Sequence, residues 1–88
     1  MFILIEWTIN SQEEELGGMK IGDINHILLK DPEDTGFHFE QMAMENGCDE
    51  EETNNIRNKI EKRKIPKEGF TIHNDEGHYI YVNKESPK

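Results

Sequence analysis

Leu, Ile, Val and Phe together supply only 20 of the 88 residues, just above the share that marks a disordered chain. A folded chain with so few core formers has a thin core, because a domain of this size hides only ~60–65% of the surface its unfolded chain exposes. One domain over 1–88 is expected, with little room for a deep cofactor pocket and none for a multidomain enzyme. Cys48 is the single cysteine, so neither an intramolecular disulfide nor a cysteine-rich zinc site can form, which fits a reducing cytoplasm. The apolar run Met1–Ile5 stops at Glu6. It is too short to span a membrane and carries no basic segment of the kind that opens a signal peptide.

The net charge is −9, unevenly placed. Residues 1–52 hold fourteen acids against Lys20 and Lys30, a balance of −12, whereas residues 53–88 hold eight basic residues against five acids, a balance of +3. An acidic body argues against binding nucleic acid or anionic membrane over the whole surface, but it permits one basic face.

Period-two alternation predicts a strand over 1–10, with Ile3, Ile5, Trp7 and Ile9 on one face and Phe2, Leu4, Glu6 and Thr8 on the other. Ser11-Gln12-Glu13-Glu14 has capping-box spacing, but Gly17-Gly18 follows at once, so one helical turn and a loop are both open there. Residues 20–65 read as helical. Ile21, Ile24, Ile27 and Leu28 have helical spacing with Asp23 as the candidate N-cap, Asp31-Pro32 closes that element, and 31–37 is a polar connection. A second helix is predicted from Phe39 to Asn46, stopped by Gly47, and a third is capped by Asp49 and buries Thr53, Ile56 and Ile60. Turn residues Asn74-Asp75-Glu76-Gly77 between two β-rich runs predict a hairpin over 69–83. If His73 pairs with His78, then Phe70, Ile72, Tyr79 and Tyr81 share one face. A frayed tail, 84–88, follows. The fold class is α+β: an N-terminal strand, two or three short helices, and a C-terminal hairpin that can pair with the first strand.

The order helix, helix, Gly47 turn, helix, hairpin resembles a winged helix-turn-helix over residues 38–82. Ala43 stands four residues before Gly47, and Thr53 and Ile56 stand six and nine after it, near that family's buried positions. The resemblance implies that the third helix enters the major groove, with Arg57, Lys59, Lys62, Arg63 and Lys64 on phosphates and Lys67 with His73 near the wing. The sequence departs from the family at Asn46, a position usually apolar, and at Asp49-Glu50-Glu51-Glu52, four carboxylates where a recognition helix would meet phosphates.

Acidity is the other constellation. Glu13-Glu14-Glu15, Glu33-Asp34 and Glu50-Glu51-Glu52 mark three carboxylate clusters. Such runs can be solvated faces and helix caps. A folded acidic surface can also occupy a site built for phosphates and speed encounter with a basic partner. In size and composition, though through no residue motif, the chain is similar to small phage-encoded inhibitors of the DNA-mimic and anti-CRISPR kind. That resemblance implies a non-enzymatic protein that binds a basic nucleic-acid-handling protein and inhibits or adapts it. The seven glutamates and one aspartate of these three clusters are the candidate partner-binding residues, and the winged-helix regulator is the alternative.

The remaining chemistry-bearing residues have plainer readings. His73 and His78 lack the further ligands a zinc site needs, so no metal or other cofactor is expected. Cys48 reads as a half-buried structural cysteine beside the Gly47 turn. No P-loop, dinucleotide fingerprint or nucleophile elbow appears. Trp7, Phe70, Tyr79 and Tyr81 are expected to pack between hairpin and helices. The first strand, apolar on both faces, allows a homodimer through edge pairing.

Overall fold

The alternating N-terminal segment forms β1 (Phe2–Asn10), and this strand lies inside a sheet, not at its edge. The structure, a computed structural model, describes residues 1–10, 20–21 and 24–84. The order of elements continues with β2 (Lys20–Ile21), β3 (Asn25–Leu29), α1 (Pro32–Glu45), α2 (Glu50–Glu61), β4 (Phe70–His73) and β5 (His78–Lys84). On one side β1 pairs antiparallel with β5, which pairs in turn with β4. On the other side it pairs with β3 through residues 2–6 and with β2 through Ile9 and Asn10. The register moves by one residue between those two pairings, from Ile9 opposite Ile21 to Glu6 opposite Asn25.

The core follows from this register. Leu4 stands opposite Val82, and Ile80 stands opposite Ile72, so Phe2, Leu4, Ile72, Ile80 and Val82 share one face. All five are buried, and Leu4, Ile72, Ile80 and Val82 pack with Phe39 and Ala43 of α1 and Ile56 and Ile60 of α2 in one cluster. Burying each large aliphatic or aromatic side chain is worth ~1.5–3 kcal/mol, and a core this thin depends on every member.

Both helices start on the same local plan. Asp31 caps α1 by accepting from the Glu33 N–H at 3.1 Å, and Asp49 caps α2 by accepting from the Glu52 N–H at 2.9 Å. Four residues after each cap a fully buried threonine, Thr35 or Thr53, donates its hydroxyl to the cap residue's carbonyl, at 2.8 and 2.7 Å. Both helices also end alike. Gly47 N–H donates to Met44 and Cys48 N–H to Ala43, while Arg63 N–H donates to Ile60 and Lys64 N–H to Lys59, the paired bonds of a Schellman motif. That motif needs a left-handed residue. Gly47 supplies it at φ 70°, but at the second helix Arg63 does so at φ 59°.

Several sequence expectations are corrected here. The helix expected around 21–28 is absent, because residues 25–29 are strand β3. Its three- and four-residue spacing reflects residues lying along an exposed edge, Ile24, Ile27 and Leu28, which β1 recruits by backbone pairing. Asp31-Pro32 opens a helix where an end was expected. Proline suits the first helical position, whose N–H has no partner in any case, so α1 covers 32–45 where the reading from sequence had a connection followed by a helix from Phe39. The described residues thus hold two helices, not the three of a winged domain, and the hairpin is built into the sheet beside β1. β1 is also not an edge available for self-pairing, since β3 and β5 flank it.

The hairpin itself is present with a different register. His73 pairs with Tyr79, not with His78. Asn74 closes the turn: its backbone N–H donates to the His78 carbonyl at 3.1 Å, and its Oδ1 accepts from the N–H groups of Glu76 and His78. The loop is therefore three residues, Asp75 to Gly77, with Gly77 at φ 88°, the geometry of a turn followed by a glycine bulge. The shift of one residue reverses the faces. Tyr79 and Tyr81 lie with Thr71 and His73 on the face away from the helices, while Phe70 stays on the helical side. Ser11 to Glu15 and the tail from Glu85 lie outside the described residues.

Two substitutions test these local assignments. Arg63→Gly relieves a left-handed non-glycine residue and is expected to stabilise the fold by ~0.5–1 kcal/mol, after the entropy glycine adds to the unfolded chain. Gly77→Ala is expected to cost ~2 kcal/mol or more, because its Cβ would stand 2.8 Å from the Ile9 carbonyl oxygen. Urea midpoints of the two variants should move in opposite directions.

Candidate functional site

The α1–α2 pair is antiparallel, since a four-residue connection joins Glu45 to Glu50 and Arg57 of α2 reaches back to Glu40 of α1. The end of α1 and the start of α2 therefore lie together. The hairpin tip joins them there, because the Asn74 side-chain amide donates to the Asn46 carbonyl. This contact brings the hairpin tip, 28 residues further along the chain, to the end where α1 turns into α2. Glu45, Asp49, Glu50, Glu51, Glu52, Asp75 and Glu76 all belong to that end, and all are exposed. Between helix turn and hairpin tip runs an open groove of about 350 Å³ lined by Glu45, Asn46, Gly47, Asn74, Asp75 and Glu76.

Helix chemistry accounts for part of this charge. Asp49 is a cap, and Glu50, Glu51 and Glu52 occupy the positive end of α2, where each acid gains ~0.3–1 kcal/mol. Glu45 has the opposite relation: it lies in the last turn of α1, which holds no basic residue, so the dipole disfavours it by the same rule. Asp75 and Glu76 are turn residues, and the Glu76 N–H donates to the Asn74 side-chain Oδ1. Local stability therefore explains four of the seven carboxylates and leaves Glu45, Asp75 and Glu76, the three that line the groove. Sequence reasoning missed these three. Their only signal was a helix ending in an acid and an acidic turn, and only the fold places them side by side.

The other predicted acids are elsewhere. Glu33 and Asp34 sit in the first turn of α1, at its far end, about 20 Å away along a 14-residue helix. Glu13, Glu14 and Glu15 lie outside the described residues. The three clusters thus do not merge within the described residues.

The candidate DNA-binding residues divide as well. Arg57 is engaged by Glu40 and by Glu61, the latter at 2.8 Å, and hydrogen bonds to these two carboxylates raise its pKa further. Lys59 sits over the Phe70 ring, 5.6 Å from its centroid. Lys62, Arg63, Lys64 and Lys67 are exposed around the end of α2, and Lys84 joins them by donating to the Arg63 carbonyl at 2.9 Å. This basic pole is opposite the acidic one and is interspersed with Glu61 and Glu68.

His73 and His78 diverge, since consecutive positions across the hairpin register put them on opposite faces of the sheet. No helix among the described residues is long and apolar enough to cross a membrane. Cys48 beside the Gly47 turn is buried, more fully than the half-burial expected from sequence. Burial pushes its thiol pKa up, and the charge of Glu52 adds to the shift, so the reactive thiolate is disfavoured. A disulfide reagent near neutral pH is expected to label Cys48 at least ~10-fold more slowly in the folded protein than in denaturant. Because the folded pKa is the higher one, the contribution of this group to stability is complete below the ordinary thiol pKa and is lost as pH rises through the folded value. An alkaline fall in urea midpoint that Cys48→Ala abolishes would show it. Set beside known proteins, the chain matches no family model, no curated protein and no solved structure.

Proposed function

We propose that the protein is a non-enzymatic acidic interaction protein that binds a basic nucleic-acid-handling protein, inhibiting or adapting it, and that the acidic pole is its contact surface. The observation that carries this reading is the convergence of Glu45, Asp75 and Glu76 on one groove beside Glu50 to Glu52, at a place where local stability asks for only some of that charge. In this mechanism the groove receives an arginine or lysine side chain of the partner. Arginine is favoured, because its planar fork meets two carboxylates at once. The surrounding carboxylates raise the encounter rate and make it sensitive to salt. A site that ordinarily grips the phosphate backbone offers such cations in rows, since duplex DNA carries one charge per ~1.7 Å of axis.

The regulator reading has less support. The start of α2 is acidic, and Arg57 and Lys59 already have intramolecular partners, which leaves only the loop cations Lys62, Arg63, Lys64 and Lys67 for phosphates.

The test uses the full chain as bait against a lysate of a plausible bacterial host, beside a mobility-shift assay on labelled duplex. Specific capture of a DNA- or RNA-handling protein at low salt, lost at high salt and without a duplex shift, is the expected result. The variant Glu45→Gln, Asp75→Asn, Glu76→Gln spares the α2 cap and should weaken capture at least ~10-fold with an unchanged circular dichroism spectrum. Capture undiminished in that variant removes the groove from the mechanism. A salt-sensitive duplex shift, lost when Lys62, Arg63 and Lys64 become Ala, overturns the reading in favour of the regulator.

A further inference from the structure

Both faces of β1 carry apolar side chains, and the helices cover the face of Phe2 and Leu4. The other face presents Ile3, Ile5 and Trp7 of β1, Tyr79 and Tyr81 of β5, and Leu28 of β3. Leu28 is 50% exposed. Trp7 stacks on Tyr79 with ring centroids 5.5 Å apart and planes 9° from parallel, and His73, on the strand at the other side of Tyr79, lies 5.0 Å from the same ring. An antiparallel sheet with one solvated face normally alternates apolar with polar. Here the open face has no Asp, Glu, Lys or Arg in any of β1, β3, β4 or β5, in a chain that is 33% charged. A half-buried aliphatic and aromatic centre, bordered by the uncharged polar residues His26, Thr71, His73 and Asn83, has the apolar centre and polar rim of an interface.

We infer that this face packs against the same face of a second copy of the chain, with the strands of the two sheets running antiparallel. Three observations point to a second copy. First, a face without charge offers nothing to steer a charged partner, and it meets no like charge when it packs on itself. Second, the molecule is bipolar along the strands: the acidic pole lies at the hairpin tip, and Lys62, Arg63, Lys64, Lys67 and Lys84 lie at the other end. Antiparallel stacking sets each acidic pole beside its partner's basic pole and holds the two acidic poles apart. Third, the size is adequate. Four strand lanes and about seven residues per lane make a patch of roughly 19 by 23 Å, about 450 Å² in flat projection for each copy. The pair hides about 900 Å² before the relief of aromatic side chains is added, near the ~1,000 Å² at which specific interfaces begin. Two sheets packed ~10 Å apart with helices outside would give the thin core of each copy a second layer. This arrangement leaves the acidic groove exposed and does not depend on the reading of that groove.

Sedimentation equilibrium over a dilution series is the test, followed in parallel by the emission of Trp7, the only tryptophan. The expected species is a dimer of twice 10.3 kDa with a micromolar Kd, and dilution should shift Trp7 emission to the red. His26 and Thr71 are exposed residues of the open face, on its two outer strands. The double variant His26→Glu, Thr71→Glu should raise Kd at least ~100-fold without loss of the folded circular dichroism spectrum. Ile27 lies on the same edge strand as His26 but points to the helical face, so Ile27→Lys should leave the dimer intact. A monomer at all accessible concentrations overturns the proposal. So does any other pattern among the variants. Dissociation by Ile27→Lys alone would identify pairing through the β3 edge.

Discussion

The pairing of β1 with β5 is the interaction on which the rest of this protein depends. It brings the two ends of the described chain together and sets the register over Phe2 to Thr8. Through that register Leu4 meets Val82, and β4 and β5 present Ile72 and Ile80 to the helices. With so few apolar side chains, a slip of one residue would replace most of the sheet's contribution to the core by Ile3, Ile5 and the tyrosines. The bond from the Ile9 N–H to the Gly77 carbonyl, at 2.9 Å, ties the end of β1 to the hairpin turn and opposes such a slip.

The same pairing organises the charge. It sends the hairpin tip to the end where α1 turns into α2, and the amide of Asn74 fastens the two. Acids chosen for capping at α2 then stand beside acids with no capping role, and the result is a pole. Cations left at the end of α2 and the end of β5 form the opposite pole. A net charge of −9 is thus less informative than its dipolar arrangement, because screening over ~8 Å in physiological salt lets a partner sense one pole at a time.

The plan of the helices shows how little sequence is needed for a robust local structure. Asp31-Pro-Glu-Asp-Thr35 and Asp49-Glu-Glu-Glu-Thr53 each build a cap, an acidic first turn and a buried hydroxyl satisfied by the cap carbonyl. The second of these was read correctly from sequence. The first was misread as a helix end, because an Asp-Pro pair carries both meanings: proline repels helical geometry from the residue before it and suits the first helical position after it. Only the fate of the neighbouring segment decides between them. Here Asn25 to Leu29 went to the sheet.

What the sequence determined by itself is what short-range chemistry determines: the β1 alternation, the Asp49 cap and the buried row Thr53, Ile56 and Ile60, the Gly47 stop, the existence of a hairpin before and after Asn74 to Gly77, and the α+β class. Each depends on backbone preferences or on periodicity within a few residues. The tertiary structure decided the rest. It made a strand of residues whose spacing fitted a helix, because an unpaired flank of β1 accepted them. It set the hairpin register through Asn74 and Gly77 and so turned Tyr79 and Tyr81 away from the helices. It also gathered Glu45, Glu50 to Glu52, Asp75 and Glu76 at one end while leaving Glu33 and Asp34 at the other. Strand pairing and the proximity of distant charges are long-range contacts, and composition and periodicity carry no record of which segments will meet.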